Sequence, residues 1–144
     1  MTLEQVDRTL ATHVRAVFVA AQAAARRMGE GGRNISIGSC LAERVPGPGL
    51  SLYAMSKSAL IGLTKGLARD LGLRGITANV VHPGPTDTNM NPADGPGADA
   101  ERALLAVGEF GRAEDIAATV AHLAGPGGRF ITGAAIAVDG GFAA

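Results

Sequence analysis

The sequence predicts an α/β fold: part of a doubly wound parallel sheet, three strands with helices flanking them. Three observations lead there. Helix-like and strand-like stretches alternate as α-β-α-β-α-β, the order that parallel strands joined by right-handed helical crossovers produce. The strand-like runs near 34–38, 76–81 and 134–138 are short, apolar and separated by segments long enough for a crossover. Hydrophobic residues make up 47% of 144, enough for one domain's core, while aromatics are only 3%. That core must be built from Ala, Val, Leu and Ile.

The elements follow in order. Thr2-Leu-Glu-Gln5 reads as a capping box opening a helix. Apolar residues then recur at Leu3, Val6, Leu10, Val14, Val17, Ala21 and Ala24 in steps of three and four. This helix, 2–28, is expected to end near Met28, before Gly29-Glu-Gly-Gly32, with Arg26 and Arg27 suiting the C-terminal dipole. Asn34 to Gly38 is the first strand, and Ala42 to Leu50 a Pro- and Gly-containing loop. Ser51 to Leu71 is the second long helix, with Leu60, Leu63, Leu67 and Leu71 on one face and Gly72 and Gly75 stopping it.

Ile76 to Val81 is the second strand. The stretch Gly84 to Ala98, with Pro85, Pro92, Gly95, Pro96 and Gly97, reads as a long loop, and Ala100 to Val107 as a short helix. Ala113 to Ala124 is a further helix with Glu114 and Asp115 in its first turn. Gly125-Pro-Gly-Gly128 is a turn, and Ile136 to Val138 the centre of the last strand.

The chemistry concentrates in Tyr53-Ala-Met-Ser-Lys57. Tyr53 is the only tyrosine, and Lys57 is one of two lysines. On a helix that spacing stacks phenol and ammonium on one face. An adjacent ammonium favours an ionised phenol, which makes it a better acid/base near neutral pH. Alone, such a pair is usually a surface feature. Here Ser39 ends the run Ile35-Ser-Ile-Gly-Ser39, fourteen residues before Tyr53. Pro83-Gly84 ends a second run, Ile76-Thr-Ala-Asn-Val-Val-His82, and Asp139-Gly140-Gly141 follows the last. In open parallel sheets ligands sit outside the carboxyl ends of the strands. Ser39, Tyr53 and Pro83-Gly84 are therefore expected to converge on one edge.

A serine, Tyr-x-x-x-Lys, a strand ending in Pro-Gly and a terminal Asp-Gly-Gly, in that order, resemble the short-chain dehydrogenase/reductase family. The resemblance runs over essentially the whole chain and is 3-oxoacyl-carrier-protein-reductase-like. It implies a Rossmann-like sheet and an NAD- or NADP-dependent oxidoreductase acting on an alcohol or ketone. By that resemblance Ser39, Tyr53 and Lys57 are catalytic: Tyr53 exchanges the alcohol proton, Ser39 hydrogen-bonds the substrate oxygen, and Lys57 assists Tyr53 and holds the nicotinamide ribose. Pro83, Gly84 and Thr88, with Tyr53 and Lys57, would contact the cofactor. The loop Asn89 to Glu109 would cover the substrate. Members commonly pair their two long helices, here 2–28 and 51–71, with a twofold-related copy, so a dimer or tetramer is expected.

The sequence also departs from the family. The family's opening G-x-x-x-G-x-G turn and its later N-N-A-G do not occur among these residues. The expectation is that 1–144 is the C-terminal catalytic part of the domain, with the dinucleotide-binding half absent. His13 stands where the family usually has an asparagine that kinks the helix and holds a relay water. Asn34 is polar at a position expected to be buried. A non-catalytic fragment or oligomerisation module is therefore the alternative to an enzyme.

Composition narrows the classes further. Basic and acidic residues balance at 13 each with no clustered basic face, which argues against nucleic acid. No apolar run reaches a membrane span, and Met1-Thr-Leu-Glu-Gln5 lacks a signal peptide's character. The single cysteine, Cys40, reads as a small buried residue and fits a cytoplasmic protein. His82 and His122 read as structural or solvated, and the three histidines lack metal-ligand spacing, so no metal is expected.

Overall fold

Thr2 and Gln5 close the expected reciprocal cap: the Gln5 N–H donates to Thr2 Oγ1 at 3.2 Å and the Thr2 N–H to Gln5 Oε1 at 2.8 Å. In the computed structural model, which describes residues 1–144, the helix this cap opens is not continuous. It consists of α1 (Leu3–Leu10) and α2 (Ala16–Ala25), joined by a π-helical turn over Ala11–Arg15. The wider turn centres on His13, which reaches across to the next long helix (Nδ1 to Ser56 Oγ, 2.9 Å). The segment also ends earlier than Met28. Arg27 and Met28 N–H groups both turn back to the Ala24 carbonyl. Arg74 then caps the end, Nη2 donating to the Ala25 and Met28 carbonyls at 2.7 Å each.

The chain continues through β1 (Arg33–Ile37), α3 (Ser51–Leu71) and β2 (Thr77–Pro83). After these come β3 (Thr86–Asp87), α4 (Ala98–Arg102), β4 (Gly111–Arg112), α5 (Ala113–Ala124) and β5 (Ala135–Val138). The main sheet has the order β1-β2-β5, all parallel, with Ile37 opposite Val81 and Val81 opposite Ile136. This is the predicted arrangement of three adjacent parallel strands. The central strand is buried from Thr77 through His82, as a strand covered on both faces must be. Within it, Asn79 is 1% exposed and fully used: its Nδ2 donates to the Ile131 carbonyl and its Oδ1 accepts from Ala134 N–H. That clamp fixes the entry into β5.

Two apolar clusters hold the layers. Ala25, Leu71 and Ile76 pack with Met28 and Leu67 near the amino ends of the strands. Cys40, Leu105 and Phe142 pack with Leu41, Leu104 and Phe110 near the carboxyl ends. The stretch read as a long loop after Gly84 is better organised than expected. β3 and β4 form a short parallel ladder, Thr86 opposite Gly111 and Asp87 opposite Arg112. The expected helix over 100–107 is the five-residue α4. Leu104, Leu105 and Gly108 then fold back in turns whose N–H groups donate to carbonyls three residues earlier.

β1 pairs with β2 alone, so its other edge is open. Asn34 is half-buried there rather than buried. Only 23 of 144 residues are buried, and Phe18, Val19 and Met55 on the long helices are each about half exposed. An open strand edge and exposed apolar side chains are each a template for association. Sedimentation of the 144-residue chain is therefore expected to show concentration-dependent self-association; a clean monomer at high concentration would contradict this. No helix is long and apolar enough to cross a membrane.

Candidate active site

The parallel topology brings the carboxyl ends of β1, β2 and β5 to one edge, and the residues beyond them form a cavity of about 340 Å³. Ser39, Tyr53, Pro83 and Gly84 all line it, together with Cys40, Leu50 and Phe142. Ser39 follows β1 in an extended conformation (φ −167°, ψ 149°) and caps the short turn Cys40–Ala42, its Oγ accepting from Leu41 N–H at 3.2 Å. The Ser39 N–H donates to His82 Nδ1 at 3.0 Å. Ser58 Oγ donates to the Ala42 carbonyl, tying that turn to α3.

Tyr53 sits in the first turn of α3 and is 37% exposed. One turn on, the Lys57 ammonium lies 5.6 Å from the Tyr53 ring centroid. It donates to the Ile37 carbonyl at 3.4 Å. Lys57 does not itself line the cavity. Burial pushes the Lys57 pKa below the ordinary lysine value.

Two further groups fix Tyr53. Ser56 is fully buried, and its hydroxyl donates to the Tyr53 carbonyl at 2.7 Å. His13 meets the same hydroxyl through Nδ1 at 2.9 Å and sets its ring edge-on to Tyr53, centroids 5.6 Å apart. A hydroxyl has one proton, and here the carbonyl takes it, so His13 must donate from Nδ1. With histidine at position 13 the helix carries a π-helical turn and is linked to the Tyr53 turn.

Gly84 is constrained by its own neighbours in the fold. A Cβ there would lie 2.6 Å from Asp139 Cα and 2.7 Å from the Asp139 carbonyl oxygen. The glycine is required by the close approach of the ends of β2 and β5. Thr88 stays outside the cavity, exposed in a turn where its N–H and Oγ1 bond to Asn91. From the stretch 89–109, Asn91, Glu101 and Leu104 reach the cavity wall, and Asn91 Nδ2 donates to Glu101 Oε2 at 2.9 Å. Cys40 is buried, and burial raises its thiol pKa to about 11, so it is a neutral wall group.

Ser56 and His82 lie outside the set of site residues that the sequence indicates. Ser56 could have been noticed as a serine inside an apolar helix three residues after Tyr53, where it can reach the carbonyl one turn back. His82, polar in a central strand, had to find a buried partner. The sequence could not say that the partner is the Ser39 amide.

Comparison with known proteins places these features in context. A family model described as enoyl-(acyl carrier protein) reductase matches residues 1–143. The cyclic-di-GMP-binding biofilm dispersal mediator protein of Escherichia coli is 48% identical over 144 residues, 100% of this chain and 61% of that protein. A short-chain dehydrogenase from Burkholderia cenocepacia, solved in complex with NADP, superposes with TM-score 0.97 at 62% identity, covering 100% of this chain and 59% of that one. A short-chain dehydrogenase/reductase from Serratia marcescens gives 0.98 at 59% identity, with the same coverage. The chain therefore spans about three fifths of the length of these relatives.

Proposed function

The chain belongs to the short-chain dehydrogenase/reductase family, and on that footing we propose that its carboxyl-edge cavity interconverts a small-molecule ketone or aldehyde and the corresponding alcohol, with NAD or NADP as redox partner. One observation carries the reading: the hydroxyl-bearing side chains of Ser39 and Tyr53 line one cavity, with Pro83-Gly84 forming its wall. The cavity is at the small end for ligand sites. Its mixture of two hydroxyls with proline, leucine and phenylalanine suits a nicotinamide ring beside a small carbonyl. For the pyrophosphate end these residues offer no glycine-rich turn.

When bound, the nicotinamide supplies or takes up the hydride. The chain's residues handle the proton and the oxygen. In reduction the Tyr53 phenol gives its proton to the carbonyl oxygen, and in oxidation its phenolate removes the alcohol proton. Ser39 Oγ donates to the same oxygen as negative charge grows there, an interaction stronger in the transition state than in the ground state. The Lys57 ammonium lies one helical turn on, 5.6 Å from the Tyr53 ring centroid, and would hold the nicotinamide ribose. The Ser56 and His13 contacts hold the first turn of α3, and with it the Tyr53 ring. Residues 1–144 thus act as the catalytic part of the domain.

The test joins this chain to the dinucleotide-binding half of the Burkholderia relative and measures NADPH and NADH consumption against a panel of ketones and aldehydes. Turnover with at least one carbonyl class is expected. A folded fusion that binds cofactor and reduces none of them would favour a non-catalytic module instead.

A further inference from the structure

We propose that His82 is a positioning residue for Ser39: its Nδ1 lone pair holds the Ser39 amide, and through it the Ser39 hydroxyl, at the cavity, and the hold is lost when His82 takes up a proton. The importance of this hold rests on the catalytic reading of Ser39. The hold itself does not.

The geometry has three parts. The last ladder bond of β1 is Gly38 N–H to the Val81 carbonyl at 2.7 Å. At the next residue the chain turns away from the ladder, and the Ser39 N–H is received by the His82 ring at 3.0 Å. A side chain has taken over the acceptor role of the strand. Secondly, the strand leaves room for that ring at position 38. A Cβ on Gly38 would lie 2.2 Å from His82 Nδ1 and 2.5 Å from Cε1. No residue but glycine admits the imidazole there. Thirdly, His82 is 1% exposed, and its Nε2 is buried without a partner. With no partner at Nε2, the Ser39 bond at Nδ1 is the hydrogen bond that ties the ring in place.

That bond fixes the tautomer. An amide N–H can only donate, so Nδ1 must be unprotonated and the ring's single proton sits on Nε2. A second proton, on Nδ1, would set donor against donor. The charged groups around the ring are Glu43 after the Cys40–Ala42 turn, Lys57 on α3 and Asp139 after β5. Burial outweighs the two carboxylates and lowers the His82 pKa below the ordinary histidine value. With the folded value below the unfolded one, the neutral ring's contribution is complete above the unfolded value of about 6.5. It is lost as pH falls through the folded value.

The test is NMR on the 144-residue chain. Ring nitrogen shifts should show His82 protonated on Nε2 alone at neutral pH. The Ser39 amide should exchange slowly and should titrate on acidification with the His82 midpoint. In His82→Leu, which keeps the bulk and removes the acceptor, Ser39 protection should fall by about tenfold, the factor of one ordinary hydrogen bond. In His82→Asn it should largely return, because Asn Oδ1 falls where Nδ1 was.

A purely space-filling role predicts the opposite ranking of the two variants. A proton on Nδ1, unchanged protection in the Leu variant, or an Asn variant as unprotected as Leu would each overturn the proposal. Should the Leu variant not fold, the wild-type tautomer and the shared midpoint decide. Failure here in a protein whose turnover needs Tyr53 overturns the positioning role alone. Success here in a protein without turnover overturns the catalytic reading alone.

Discussion

Titrated with NADPH, the isolated 144-residue chain is expected to bind about two to six orders of magnitude more weakly than the Burkholderia relative solved with NADP. Backbone N–H groups of a glycine-rich turn at a helix N-terminus normally cradle the pyrophosphate. The chain's glycine clusters lie elsewhere, among them Gly29-Glu-Gly-Gly32 after a helix, the 42–50 loop, the Gly125–Gly128 turn and Gly140-Gly141 after β5. Each charge-assisted hydrogen bond to phosphate contributes about 1.5–3 kcal/mol, and two or three of them account for the range. What remains is the nicotinamide end, with Tyr53, Pro83 and Gly84 at the cavity. Calorimetry on both proteins checks this. An affinity within tenfold of the relative's would mean that these residues hold the phosphates by a route the glycine pattern does not reveal.

The second large effect concerns Tyr53. In the fusion that restores a dinucleotide-binding half, Tyr53→Phe should lower kcat by about 10²–10⁴-fold, the usual worth of a positioned general acid. The change removes one oxygen and keeps the ring. The edge-on contact to His13 and the Ser56 bond to the Tyr53 carbonyl both involve atoms that phenylalanine retains. The denaturation midpoint should therefore change little. Steady-state kinetics beside a thermal melt separates the outcomes. A variant with near-wild-type kcat would remove Tyr53 from the proton step.

Much of this site was legible in the sequence because its parts are local. α3 runs over Ser51–Leu71 as its leucine stripe and the following glycines indicated, and α5 over Ala113–Ala124 as its acidic first turn indicated. Strand-end placement foretold that Ser39, Tyr53 and Pro83-Gly84 share a cavity. What escaped was non-local. The π-helical turn goes with a contact between residues 43 apart, His13 and Ser56, and the hold on Ser39 spans 43 residues as well, to His82. Neither separation leaves a periodic trace. The β3–β4 ladder is two residues long on each side, too short for alternation to show. Gly84 illustrates a different limit. Pro83-Gly84 was legible as a strand end, but the neighbour that requires glycine there, the Asp139 backbone, lies 55 residues later.

The central claim is hydride chemistry at the Ser39–Tyr53 cavity, and isotope tracing tests it most directly. NADPH carrying deuterium on the transferring face of its nicotinamide is supplied to the fusion with a carbonyl substrate that the wild type turns over. The product alcohol is then examined by mass spectrometry and proton NMR. Deuterium on the former carbonyl carbon, with the hydroxyl hydrogen drawn from water and no product formed by Tyr53→Phe, is the predicted result. Product whose new C–H hydrogen comes from solvent, or labelled product formed equally well by Tyr53→Phe, would contradict it.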